Sequence, residues 1–229
     1  GLYYPEEDVS GTIIYESESC RFLVENNDYP TFFKNLCLNF QFPNGAKWIQ
    51  FIKDDIEKGL NIKPFCFVVA LLYYAQNQKQ KYLLTKQEIG YYVLNNLDVL
   101  KGLVTYQEVY ERIISDRTNK IKREKLSGSH DWQHIKEQFN LLELANIIET
   151  DATYLWLNKD EAPAIQIFLS QSPNITCDCY KYSLETVNDN KAFLHDWKKY
   201  YGRFNKELLS LTPAFQTSEI VIIDKDEQK

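Results

Sequence analysis

The sequence has no methionine, only three histidines and only eight glycines in 229 residues. Each shortage removes a class of function. Three imidazoles do not allow a Ser/His/Asp constellation to be assigned, and the glycines never gather into a loop that could cradle a phosphate. No apolar run approaches the roughly 20 residues needed to span a bilayer, and Gly1 to Asp8 lacks the basic start and apolar stretch of a secretory signal. Membrane and exported readings are therefore disfavoured. Methionine is missing even at position 1, where the chain opens Gly-Leu-Tyr-Tyr, so the expectation is a fragment or a processed product. Positive charge is in the minority as well: 26 Lys and Arg stand against 32 Asp and Glu, for a formal charge of -6. That balance argues against a surface that grips nucleic acid everywhere.

What is present is an ordinary globular composition, rich in Tyr (16) and Phe (13) and long enough for one large or two small cored domains. The cysteines form an odd set of five: Cys20, Cys37, Cys66, Cys177 and Cys179. Most sit in apolar stretches such as Phe65-Cys66-Phe67, where a thiol acts as a small hydrophobe, and a reducing cytoplasm is the expected compartment. The charge is unevenly laid out. Residues 1–28 hold seven acids and one base, whereas residues 112–125 hold six bases (Arg112, Arg117, Lys120, Lys122, Arg123, Lys125) and two acids. One cationic block thus stands on an anionic background.

Patterning predicts a mainly α fold with small β-hairpins. Gly1 to Tyr4 and Thr12 to Tyr15 read as a hairpin around a Pro-Glu-Glu-Asp turn, and Asp28 or Thr31 caps a helix carrying Phe33, Leu36, Cys37 and Phe40. Pro64 opens an apolar helix through Leu72, and Thr85-Lys-Gln-Glu88 is a capping box that starts another. A helix from Thr105 to Arg117 precedes a Ser-Gly-Ser loop, and Trp132 to Asn146 follows with Ile135, Phe139, Leu142 and Ala145 on one stripe. The period then changes to two. Ile147 to Glu149 and Thr153 to Leu157 flank a turn, and Asn158 caps a helix ending before Pro173. Helices followed by a hairpin wing are the order of a winged-helix unit. Residues 191–209 read as a helix and Glu219 to Ile223 as a strand.

Each candidate for chemistry has a plain packing alternative. Asp196-Trp-Lys198 is an acid-x-Lys triplet, but it lies in a helical pattern with no strand-borne acid before it, and reads as a solvated helix face. His130 and His134 are four apart but have no third ligand nearby, and Cys177-Asp-Cys179 has the wrong spacing for a zinc knuckle and reads as free thiols on a surface loop. No metal site and no catalytic residue is assigned. The basic block could set charge-assisted donors against phosphates, with Arg also able to pair with guanine edges; the plain alternative is a solvated helix end. Lys86 and Gln87 open the capped helix, where a phosphate is also favoured.

Phe32 to Asn44 (FFKNLCLNFQFPN), Ile62 to Leu72, Leu84 to Ile89, the basic Arg117 to Lys125, Leu142 to Pro173 and Phe193 to Gly202, taken in order, resemble the recognition region of AlwI-type restriction and nicking endonucleases. No single piece is diagnostic; the ordered set carries the likeness. The resemblance implies a type IIS arrangement, in which winged-helix subdomains read a double-stranded DNA site and a separate nuclease domain, using Mg²⁺, cuts outside it. It also implies a second nuclease subunit or a transient dimer in the intact enzyme, and no cofactor in this chain. The expected division is 1–45 as the wing and helix of a first subdomain, 46–63 as linker, 64–173 as a second winged-helix subdomain, and 174–229 as a linker and helix toward the nuclease. The expected DNA contacts are Arg112, Arg117, Lys120, Lys122, Arg123 and Lys125, with Lys86 and Gln87. The rival expectation, from the acidic background, is a winged-helix protein-interaction or scaffold domain.

Overall fold

The computed structural model describes residues 3–8, 11–80, 82–123, 126, 130–174 and 178–211. The chain opens with an antiparallel ribbon, β1 (Tyr3–Asp8) and β2 (Gly11–Glu16), with Pro5 opposite Ile14. The Pro-Glu-Glu-Asp stretch expected as a turn is therefore strand. In a two-stranded ribbon both strands are edges, where a proline need not donate. Next comes α1 (Glu18–Asn26), a helix not anticipated among the acids: the Ser17 side chain accepts from the Cys20 amide at 3.1 Å, and left-handed Asn27 (φ 51°) ends it. In α2 (Tyr29–Asn39), Asp28 is the cap and not Thr31, since its carboxylate accepts from the Thr31 amide at 3.0 Å with Pro30 in the first turn. A further helix, α3 (Ile49–Glu57), follows.

The central unit begins with α4 (Pro64–Gln76), whose Phe65, Val69, Leu71 and Leu72 are at most 1% exposed. Burying each such side chain contributes about 1.5–3 kcal/mol. Then follow β3 (Leu84–Thr85), α5 (Lys86–Ile89) continuing into a π-helical turn over Gly90–Leu94, α6 (Leu97–Leu100) and α7 (Tyr106–Thr118). The capping box Thr85/Glu88 forms as expected, and a second one, Thr105/Glu108, starts α7. The unit closes with α8 (His130–Leu144), β4 (Ile148–Thr150), β5 (Tyr154–Leu157) and α9 (Ala162–Ser170). Asn158 caps a 3₁₀ turn over Lys159–Glu161 that leads into α9. The sheet order is β3-β5-β4, so the hairpin takes β3 as a third strand. This is a mainly α fold with small β-hairpins, of winged-helix type.

Residues 46–63 and 178–190, parts of stretches read from sequence as connecting, contribute to a second core. Ile52 of α3 packs with Cys179, Leu184, and Phe193, Trp197 and Tyr200 of α10 (Val187–Gly202). Ile49, Ile52 and Ile56 recur at helical spacing, and that stripe is what α10 covers. Thr186 caps α10 earlier than residue 191, and after Gly202 the chain turns into a separate 3₁₀ segment, Lys206–Leu211. Gly45 lies against the Trp197 indole, where a Cβ would sit 2.4 Å from the ring. Cys179 is buried and disulfide-bonded, against the expectation of a free thiol on a surface loop, while Cys177, the other half of that expectation, lies outside the described residues; Cys20, Cys37 and Cys66 are free and buried. The strand expected at Glu219 to Ile223, and Lys125, lie outside the described residues.

The end of α10 is fastened to α2. Asn35 Nδ2 donates to Ser19 Oγ at 2.7 Å and to the Arg203 carbonyl at 2.9 Å, its Oδ1 accepts from the Asn205 amide at 2.7 Å, and Asn39 Nδ2 donates to the Arg203 carbonyl at 2.8 Å. Both asparagines are buried, and each hydrogen bond satisfies a group that would otherwise be stranded away from water.

Candidate nucleic-acid interface

The basic block begins on α7 and continues past its end, where Lys120 takes a left-handed conformation (φ 57°). There the Lys120 and Ile121 amides donate to the Arg117 and Asp116 carbonyls at 3.2 and 2.9 Å, closing the helix. The block is not six equivalent cations. Arg117 points inward: its Nε donates to Glu88 Oε1 at 2.7 Å, and its Nη2 donates to Glu88 Oε2 at 2.6 Å and to the Leu83 carbonyl at 2.8 Å. The guanidinium also lies 5.6 Å from the centre of the Tyr82 ring. The hydrogen bond to Glu88 raises its pKa above the ordinary arginine value. Glu88 is the same carboxylate that closes the capping box on Thr85, so one side chain joins the start of α5 to the end of α7.

Arg123 folds back in a similar way. Its Nε donates to Asp116 Oδ2 at 2.6 Å and its guanidinium lies 5.6 Å from the centre of the Tyr91 ring, while the Tyr92 hydroxyl donates to the same carboxylate oxygen. The bond from Arg123 holds the Asp116 carboxyl below its ordinary value, and burial, followed by the bond to Asp116, pushes the Tyr92 hydroxyl up. Gln87 grips Leu126 with both ends of its amide, Oε1 accepting from the Leu126 amide at 2.9 Å and Nε2 donating to its carbonyl at 3.1 Å. Lys86 Nζ donates to Thr150 Oγ1 at 3.0 Å, tying α5 to the wing. Arg112, Lys120 and Lys122 are exposed.

The structure thus brings Lys86, Gln87, Arg117 and Arg123 together around the π-helical turn at Gly90–Leu94 as a brace, and leaves Arg112, Lys120 and Lys122 facing solvent. Sequence reading missed the partners, Glu88, Asp116 and Tyr92. The signal for Glu88 was its place in the capping box, which put a carboxylate at a fixed position before Arg117 was considered. A cleft of about 520 Å³ between Tyr91, Arg112 and Arg123 is also lined by Glu108, Glu111 and Asp116, so it does not present a net basic pocket. The wing is acidic at its tip: Asp151 accepts from the Thr153 and Tyr154 amides at 2.7 and 2.6 Å, and Glu149 accepts from Trp156 Nε1 at 2.8 Å.

Asp196 accepts from the Tyr182 hydroxyl at 2.7 Å and lies 3.2 Å from His195 Nδ1, and His134 Nδ1 lies 3.2 Å from Glu137. Among the described residues no three or more His, Cys, Asp or Glu side chains gather into a group that could hold a metal ion. Among them, too, no helix is long and apolar enough to cross a membrane.

Residues 1–198 match the family model described as restriction endonuclease BpuJI, N terminal. The chain belongs to the BpuJI N-terminal family. Among solved structures, this member of the family is similar to the BpuJ1 endonuclease binding domain in complex with pyrene- and phenanthrene-modified DNA. The likeness has a TM-score of 0.77 and 35% identity, over 88% of this chain and 72% of that one. No curated protein matches it. What the match shows of the resemblance drawn from the residues is its coarser part, the N-terminal region of a restriction endonuclease, under the BpuJI description and not specifically the AlwI type.

Proposed function

We propose that this BpuJI N-terminal family member is a sequence-specific double-stranded DNA recognition module of a type IIS restriction endonuclease, whose intact form hydrolyses phosphodiesters outside the site it reads. The observation that carries this is the likeness, at 35% identity, to a binding domain that was solved on DNA. The exposed cations Arg112, Lys120 and Lys122, held on a braced scaffold, supply phosphate contacts that fix register without reading sequence. Lys125 belongs with them by sequence. The carboxylates of the described residues do not form a set that fits Mg²⁺, so we derive no cleavage step from them; in this reading the metal and the cutting belong to another part of the enzyme.

The finer likeness to AlwI-type enzymes, a transient nuclease dimer, a cytoplasmic setting and the division at residues 45, 63 and 173 belong to the same proposal. Selection from a randomised duplex pool, followed by fluorescence anisotropy across a salt series, tests it. A selected sequence is expected, with log K falling linearly against log salt, and Lys120→Ala and Lys122→Ala each lowering the slope by about 0.9 per lost phosphate contact. No selected sequence at moderate salt would overturn the reading. Binding to a protein partner in its place would favour the scaffold alternative, which the acidic wing tip supports.

A further inference from the structure

We propose that Asp116 and Tyr92 are positioning residues for DNA binding: they hold Arg123 so that the outer end of its guanidinium, Nη1 and Nη2, grips a backbone phosphate. This role rests on the DNA-recognition reading and deepens it, because it makes a buried carboxylate necessary for the grip on a polyanion. Arg117 and Arg123 are both tied to acids, but in different ways. Arg117 spends Nε and Nη2 on Glu88 and the Leu83 carbonyl, and its side chain is 29% exposed. The Arg123 side chain is 44% exposed, and within the described residues both of its hydrogen bonds leave from Nε, to Asp116 Oδ2 at 2.6 Å and to the Tyr92 hydroxyl oxygen at 3.4 Å. The inner edge of the fork is committed and its outer end is not.

An arginine beyond a helix end is ordinarily a poor clamp. Arg123 lies past the last residue of α7, its side chain has many rotamers, and ordering it only on DNA would weaken binding. Here the order is built in. Asp116 sits in the last turn of α7, its Oδ2 also accepts from the Tyr92 hydroxyl, and the guanidinium lies 5.6 Å from the centre of the Tyr91 ring. The chain is anchored on both sides of Arg123. The Ile121 amide donates to the Asp116 carbonyl at 2.9 Å, and Gln87 holds the Leu126 amide and carbonyl. Lys120, Lys122 and Arg123 are all exposed on this stretch. An end-on guanidinium offers two parallel N–H donors that match two phosphate oxygens, which an ammonium group cannot do. Charge alone points the other way. The cleft beside Arg123 also holds Glu108 and Glu111, so summed electrostatics predict that removing the Asp116 charge tightens DNA binding, whereas positioning predicts that it weakens it.

The test titrates the full chain by fluorescence anisotropy over a salt series, with the duplex that it selects and with a duplex of unrelated sequence. Thermal melts fix a temperature at which every variant is folded. Arg123→Ala is expected to weaken both duplexes by the same factor, on the order of tenfold, and to lower the salt slope by about 0.9. Arg123→Lys, which keeps the charge but not the fork, should hold the slope within about 0.3 and still lose roughly fivefold in affinity. Asp116→Asn is expected to weaken wild type by roughly fivefold and Tyr92→Phe by about twofold, and neither should weaken Arg123→Ala further, because both act through that arginine. A neutral methylphosphonate at one backbone position should reproduce the Arg123→Ala loss and add nothing to it. The failures are distinguishable. Asp116→Asn that binds at least as tightly as wild type, or that weakens Arg123→Ala as much as it weakens wild type, overturns the positioning role while recognition stands. Arg123→Ala that loses affinity for the selected duplex alone overturns the phosphate assignment. A wild-type chain that selects no sequence overturns recognition itself, and this role falls with it.

Discussion

Replacing Arg117 by alanine separates two roles that its sequence position leaves merged, a contact to DNA and a brace within the fold. In the structure the guanidinium makes three hydrogen bonds, two of them charge-assisted to Glu88 and one to the Leu83 carbonyl. Hydrogen bonds to charged groups contribute about 1.5–3 kcal/mol each when shielded, so a simple sum would be about 4.5–9 kcal/mol. That sum is too large here. The Arg117 and Glu88 side chains retain 29% and 18% of their exposure, solvent screens part of the attraction, and the side chain must be ordered to make it. Glu88 also keeps its bonds from the Thr85 amide and hydroxyl, so the carboxylate is not abandoned. A loss of about 2 kcal/mol remains, and at about 2–4 °C per kcal/mol for a chain of this size the melting temperature should fall by about 4–8 °C.

The assay is a thermal or urea melt of wild type, Arg117→Ala, Glu88→Gln and the double variant. A coupling energy of about 1–2 kcal/mol is expected from the cycle, because the two side chains act as a unit. The same proteins are titrated with DNA over a salt series. Since Arg117 is turned inward, its loss should leave the salt slope within about 0.3 of wild type, whereas a direct phosphate contact would remove about 0.9. An Arg117→Ala protein that melts within 1 °C of wild type while losing a full unit of slope would refute the bracing role and restore the arginine to the contact surface.

Three further outcomes follow from particular contacts. Asp116 has a folded pKa below its ordinary value of 3.8 through the bond from Arg123, so its stabilisation is present above that value and disappears as pH falls through the folded one; Asp116→Asn should flatten the acid limb of a stability-versus-pH curve, and an unchanged limb would refute this. Gly45→Ala places a methyl against the buried, stacked indole of Trp197 and should cost about 1–3 kcal/mol in a urea melt; wild-type stability would mean that the ring moves freely. Asn35→Ala strands the Asn205 amide and removes two donated bonds, for a loss of about 2–3 kcal/mol. It should also speed amide hydrogen exchange at residues 203–205, which exchange rates at wild-type level would contradict.

Most of the helical framework was legible because local signals and core pattern agreed. Thr85/Glu88, Pro30 after Asp28, and the stripe Ile135, Phe139, Leu142 each mark one element, and the structure uses them in those roles. Where the signals were obscured, the reading failed for identifiable reasons. α1 was hidden because acidic Glu16, Glu18 and Glu25 drew attention to charge, although Ser17 and Asn27 are ordinary start and stop residues. α3 falls in a stretch expected as linker because its stripe of isoleucines is short, and its partner α10 lies more than 130 residues later, which no local window can supply. β3 has only two residues and is strand because Tyr154 and Leu155 lie opposite it.

The candidate site shows the same division more sharply. A count of charge along the chain finds cations, but it cannot distinguish a cation facing water from one facing a carboxylate across the fold. Arg117 and Lys120 are three residues apart, yet one is held by Glu88, 29 positions earlier, while the other is turned outward by the left-handed exit of α7. The difference arises from where α5 sits, and α5 sits there because its capping box, the Gln87 grip on Leu126 and the Lys86 link to the wing fix it on three sides. The brace therefore comes first physically. If it is the frame on which Lys120 and Lys122 meet phosphates, mutations within it should alter affinity through order and leave the number of ions released unchanged, whereas mutations of the outward cations should change that number itself.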